Sequence, residues 1–216
     1  MKKMADSRDM ILAHRAIRHE FDALPALIRG VPAGDPERVA TVADHVQMLG
    51  DMLHGHHASE DDHVWPKLIE RCPEQVQPLV ETMEAQHERI DQDLRELLAG
   101  ARRWRAGADA AEQVALSARA EGLLPPLLEH LALEEAEILP LIDTYLTETE
   151  WRATVAASTG KLPITRAPVA MGMLLKHADA ELLPVMRAAV PAVFWMVFRP
   201  LGVRAYRRYA RRVYGD

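Results

Sequence analysis

Residues 55–66 read GHHASEDDHVWP and residues 129–140 read EHLALEEAEILP, so His56, Glu60, Asp61 and Pro66 return as His130, Glu134, Glu135 and Pro140, each 74 positions on. His14 and His87 stand 73 positions apart. A repeat of this length predicts a hairpin of two helices used twice. Four antiparallel helices are the simplest way for two such hairpins to bury their apolar faces.

The periodicity agrees with that fold. Apolar residues recur every three or four positions along nearly every long stretch, and alternating strand patterns between Asn-Gly or Asp-Gly turns are absent. The first predicted helix spans about 6–28, with Ile11, His14, Phe21 and Leu24 on one stripe, and VPAGDP at 31–36 ends it. The second begins near Pro36 and carries Val42, Val46, Leu49, Leu53, His56, Glu60 and Val64 at helical spacing. The third, about 73–105, places His87 amid Val76, Val80, Met83, Ile90, Leu94 and Leu97. The fourth, about 123–146, turns Leu127, His130, Glu134, Ile138 and Leu141 inward, and a separate helical stretch at 109–121 precedes it. Pro125 and Pro126 are expected to kink or restart the chain there. The reading is therefore all-α: a four-helix bundle over 1–150, then 151–216 as a linker (TGKLPITRAP, 159–168) and a short helical extension outside the bundle core.

In all four helices the apolar stripe runs into polar groups. Side by side, the helices bring His14, His56, His87 and His130 toward the bundle axis, with Glu60 and Glu134 each one turn, about 6 Å, beyond a histidine. A single helical histidine is more often a surface or satisfied core residue than a ligand. Four in one register, two of them followed by glutamate, would leave two carboxylates buried at high cost unless a cation compensates them. Imidazole with carboxylate suits iron, manganese or zinc, and two bridging carboxylates with four histidines imply two ions. Two ferrous ions with two glutamates sum to the same charge as two ferric ions, an oxo bridge and the glutamates, so oxidation changes the buried charge little.

His57, His63, Asp61 and Asp62 are rotated off the seam and read as surrounding the ligands or facing solvent. His19, His45, His54 and His177 lack the register, whereas Asp91 lies one turn after His87.

The paired HHxxED and HLxxEE motifs, each followed by proline, resemble those of the hemerythrin-like, or HHE cation-binding, domains over about 6–147. The resemblance implies a hemerythrin-like bundle holding two iron ions, oxo- or hydroxo-bridged. His14, His56, His87 and His130 would be terminal ligands, and Glu60 and Glu134 bridges. It implies a small-molecule oxidant as partner: dioxygen, peroxide or nitric oxide. Two departures stand out. Oxygen-carrying hemerythrins have a second histidine one turn along the third helix, where this chain has Asp91, and their last bridge would select Glu135. The difference points away from reversible oxygen carriage toward sensing or handling of oxidants. Peroxide disproportionation, with Asp91 and Glu135 as proton carriers, is one alternative. Metal storage or partner binding without a redox role is another. Ferritin-like proteins fit less well, since they use Glu-x-x-His and draw a glutamate from each of the other two helices. The extension is similar to tails on some bacterial members of the family.

Composition narrows the remaining options. A net charge of -6 predicts no general nucleic-acid binding, although six arginines, from Arg199 to Arg212, crowd the last eighteen residues. The single Cys72 excludes an internal disulfide framework or a Cys-rich metal site, which leaves metal chemistry to nitrogen and oxygen. The polar start MKKMADSRDM reads as no secretory signal, and hence as a cytoplasmic protein. The longest apolar run, 188–198, contains a proline and stops at Arg199, so no membrane span is expected.

Overall fold

The computed structural model describes residues 2–160, 163–189 and 192–215. They form α1 (Arg8–Arg29), α2 (Pro36–His63), α3 (Trp65–Arg71), α4 (Pro73–Gly107), α5 (Ala110–Leu133), a π-helical turn (Glu134–Ile138), α6 (Leu139–Tyr145), α7 (Glu148–Gly160), α8 (Ala167–His177), α9 (Leu182–Ala189) and α10 (Ala192–Tyr214). Among the described residues no strand forms; the one β feature is an isolated bridge between Met4 and Thr147. The protein is all-α.

Local chemistry sets the helix starts. Asp35 accepts the Arg38 N–H with Pro36 in the first turn, and Asp109 accepts the N–H groups of Ala111 and Glu112. Between α4 and α5 the chain reverses over Ala108, held in the left-handed region at φ 49°.

Two apolar clusters fill the bundle, and the chain crosses from one to the other along α1, α2, α4 and α5 with its π-helical turn. Along α1, Met10 lies in one cluster and Ile17 in the other, with His14 between them. Along α2, Leu53 and Val64 belong to opposite clusters, with His56 and Glu60 between. Met83 and Ile90 flank His87 in the same way, and Leu131 and Ile138 flank Glu134. The order of the clusters alternates from helix to helix, so α1, α2, α4 and α5 run antiparallel. Their polar residues form one layer inside the bundle.

Three expectations need correction. Pro125 and Pro126 do not restart the fourth helix: Ala110–Leu133 is continuous, and the predicted stretch at 109–121 is its first half. Buried leucines on both sides of the prolines, Leu116, Leu123, Leu127 and Leu131, hold the register across the lost N–H groups. The extension is also not outside the core, because Met173 and Tyr206 belong to the larger apolar cluster. The predicted linker shrinks as well: α7 runs to Gly160 and α8 starts at Ala167, while Lys161 and Leu162 of that stretch lie outside the described residues.

Close approach of α8 and α10 anchors the extension. A Cβ on Gly172 would collide with the Gly202 carbonyl oxygen and come within 2.5 Å of Tyr206 Cβ. Gly172→Ala is therefore expected to cost about 1–3 kcal/mol through overpacking. A lowered midpoint in urea would register the loss; an unchanged midpoint would mean that the helices separate freely.

No helix among the described residues is long and apolar enough to cross a membrane, although part of the 188–198 run lies outside them.

Candidate metal centre

The polar layer gathers all six side chains singled out by the repeat. His14, Glu60, His130 and Glu134 have no exposed surface, and His56 and His87 are buried. Across the bundle His14 Nε2 lies 3.2 Å from His56 Nε2, and His87 Nε2 lies 3.3 Å from His130 Nε2. Glu134 Oε2 stands 3.2 Å from His14 Nε2 and 3.8 Å from His130 Nε2. Glu60 reaches the other way, with Oε1 3.2 Å from His56 Nδ1 and Oε2 3.5 Å from His87 Nε2. The carboxylates thus sit between the histidine pairs.

Outer partners aim three of the rings. His14 Nδ1 donates to Glu135 Oε1 at 2.9 Å, and Arg18 donates to the same oxygen at 2.6 Å. His87 Nδ1 donates to Asp61 Oδ1 at 2.7 Å, where the Trp65 indole N–H also donates at 2.8 Å. His130 Nδ1 lies 3.2 Å from the Gln86 amide oxygen, which accepts its proton. With their protons on Nδ1, the rings of His87 and His130 present unprotonated Nε2 atoms to the layer. In the pair His87/His130, lone pair faces lone pair, an arrangement that a cation between them would relieve.

The spacing fits such an ion. Two imidazoles bound at about 2.1 Å with an angle near 100° place their nitrogens about 3.2 Å apart. Three groups offer ligand atoms within 4.8 Å of one another: His14, His56 and Glu134; Glu60, His130 and Glu134; and His57, His87 and His130. Both oxygens of Glu60 and of Glu134, and both ring nitrogens of His57, are buried without a hydrogen-bond partner among the described residues. Buried polar atoms of this kind are costly unless something coordinates them.

The electrostatics agree. Burial lowers His56 to about 3 and His130 to about 4, and pushes His57 well below the usual range, so all three stay neutral and able to bind metal. Burial, then the neighbouring Glu134, drives Glu60 well above the ordinary carboxylate range. Burial would raise Glu134 as well, but the adjoining His14 outweighs it and holds the carboxyl low. For His14 the opposing effects reverse: burial disfavours its charge, and Glu134 raises it. Two carboxylates that repel each other in a dry layer are what a multivalent cation stabilises.

Of the two places expected for His57, around the ligands or facing solvent, the second does not hold: it is 1% exposed and stacks on His87 with ring centroids 4.1 Å apart. Because α2 lies between α1 and α4, the 100° step from residue 56 to residue 57 carries the ring from the seam with α1 to the seam with α4. His56 accordingly meets His14, and His57 meets His87. The adjacent histidines in the sequence were the available signal. A helix with two packed neighbours has two inward faces. Asp61 fits its predicted place around the ligands, half-exposed and bonded to His87.

Asp91 does not join the layer. Its carboxylate turns to His54 Nδ1 at 3.3 Å, with the side chain 24% exposed. His57, from α2, instead brings its ring to His87 and His130. Glu135, the alternative to Glu134, is also displaced outward, where it steadies His14. The backbone at this point is a π-helical turn, a widening common at functional sites, and it starts at Glu134 itself.

Neither a curated protein nor a solved structure matches the chain. The model of the hemerythrin HHE cation binding domain matches residues 6–142, a span that contains the whole polar layer and its outer partners. Its four crossing helices, its buried His/Glu groups and this match over well over half of its length place the chain in the hemerythrin HHE cation-binding domain family.

Proposed function

We propose that the protein is a non-heme di-iron protein that handles dioxygen or a related small oxidant, peroxide or nitric oxide. In this reading His14, His56, Glu60, His87, His130 and Glu134 hold two ions, and His57 adds a third nitrogen beside His87 and His130. The observation that carries it is the pair of buried carboxylates, each without a hydrogen-bond partner, set between facing imidazole nitrogens.

An iron pair in this place supplies electron transfer to, and an open coordination position for, a small oxidant. The chain's own residues orient and insulate. Glu135, Asp61 and Gln86 keep the protons of His14, His87 and His130 on Nδ1. Arg18 and Trp65 fix two of those acceptors. Leu53, Met83, Ile90 and Ile138, all fully buried, exclude water on both sides of the layer. Residues 1–150 form the metal-binding unit in this proposal, and 151–216 the extension that closes one end of it.

Protein purified without chelator or affinity tag is expected to contain about two irons per chain, as the ligand count requires. Oxidised protein should absorb in the near ultraviolet by charge transfer, and the band should disappear on reduction. One zinc and no iron would overturn the proposal.

A further inference from the structure

The outer side of α10 carries a feature unrelated to the metal layer. Tyr206 and Val213 face the bundle at 4% and 0% exposure. On an idealised helix, Met196, Leu201, Arg204, Arg207, Arg208 and Arg211 then fall within roughly 140° of arc on the opposite side. All six are exposed, Met196 by 69% and Leu201 by 46%. The apolar side chains occupy the start of the helix and the arginines its remainder.

The charge on this face is uncompensated. Arginines of the bundle such as Arg15, Arg18 and Arg71 each reach a carboxylate. Among the described residues Arg204, Arg207, Arg208 and Arg211 form no ion pair, and no acidic residue occurs between Glu181 and Asp216. Beside the apolar end, α9 and α10 enclose a cleft of about 410 Å³ lined by Leu183, Pro184, Ala188 and Trp195, with Arg187 and Arg199 at its edge. Arg199 also lies over the Trp195 ring, 6.0 Å from its centroid.

We propose that this face docks on the surface of an anionic phospholipid membrane. The arginines would meet the headgroup phosphates, and Met196, Leu201 and the cleft beside Trp195 would take up the acyl boundary. A basic stripe alone would suit nucleic acid equally well. The exposed apolar end and the apolar cleft flanked by arginines have a use at a bilayer surface and none on a phosphate backbone. The protein lies on the membrane without crossing it, consistent with the absence of a long apolar helix among the described residues.

Co-sedimentation of the full chain with vesicles tests this directly. Vesicles of phosphatidylcholine with about a quarter phosphatidylglycerol should bind the protein at least about tenfold more tightly than phosphatidylcholine alone, and high salt should release it. Arg204→Glu, Arg207→Glu and Arg208→Glu together should abolish the preference while the circular dichroism spectrum stays helical, since all three positions are exposed. Met196→Ser with Leu201→Ser should weaken binding to the anionic vesicles several-fold. Equal binding to both vesicle types, no binding by the folded protein, or serine variants that bind as before would each overturn the proposal. So would salt-sensitive capture of duplex DNA by protein that ignores the anionic vesicles.

Discussion

His130→Ala is expected to reduce the metal content of the purified protein from about two ions per chain to below one, among the largest losses of any single substitution in the polar layer. His130 takes part in two of the three groups that can share an ion, one with Glu60 and Glu134 and one with His57 and His87. It is fully buried, and its ring is aimed by Gln86. Truncation removes a nitrogen from both groups and leaves Glu60 and Glu134 to repel each other across a cavity. His56→Ala should act in the same direction. His177→Ala should retain full metal, because His177 is half-buried beside His19, away from the layer. Metal analysis with matched circular dichroism separates loss of ligand from loss of fold, and equal depletion in the His177 variant would sink the assignment. A ligand bound only by the folded state stabilises it by about 4 kcal/mol at a thousandfold excess over Kd. Complete chelation of the unmodified protein should therefore lower Tm by several degrees. An unchanged Tm would mean that these residues are not a buried ligand set.

The second large effect lies at the seam between α1, α2 and α10. Glu20 and His45 have no exposed surface. Tyr206 donates to Glu20 Oε1 at 2.6 Å, and Tyr214 donates to Glu20 Oε2. Tyr214 also lies 3.2 Å from His45 Nε2, and Tyr209 donates to His45 Nδ1 at 2.8 Å. Burial keeps this histidine neutral, lowering it to about 3. Tyr206→Phe with Tyr214→Phe preserves the packing but strips both donors from a carboxylate with no access to water. The double variant should lose about 3–5 kcal/mol of stability, because the buried Glu20 carboxyl then keeps only His45 Nε2, 3.6 Å from its Oε2, beside it. Adding Glu20→Gln to it should recover part of that loss, since the remaining group is uncharged. Urea midpoints for the three proteins decide the matter, and a loss below about 1 kcal/mol in the double variant would show that Glu20 reaches water or another donor.

Sequence by itself determined the helices and the layer that crosses them. The 3.6-residue period of apolar side chains is a local property, readable without neighbours. A repeat that puts His14, His56, His87, His130, Glu60 and Glu134 on apolar stripes at matching heights leaves them few places to go except the bundle interior. Tertiary structure decided whatever depends on which neighbour a helix face meets. His57 points inward because α2 has packed helices on two sides, and the half-buried Asp91 turns only its Oδ2 to His54, leaving Oδ1 buried. Glu20 and His45 read as ordinary polar positions until α10 brings Tyr206 and Tyr214 to them from 186 residues and 169 residues along the chain, respectively. The continuity of α5 through Pro125 and Pro126, and the π-helical turn at Glu134, likewise required the packed bundle. Local rules assign them a cost, and only the burial of leucines from four helices outweighs it.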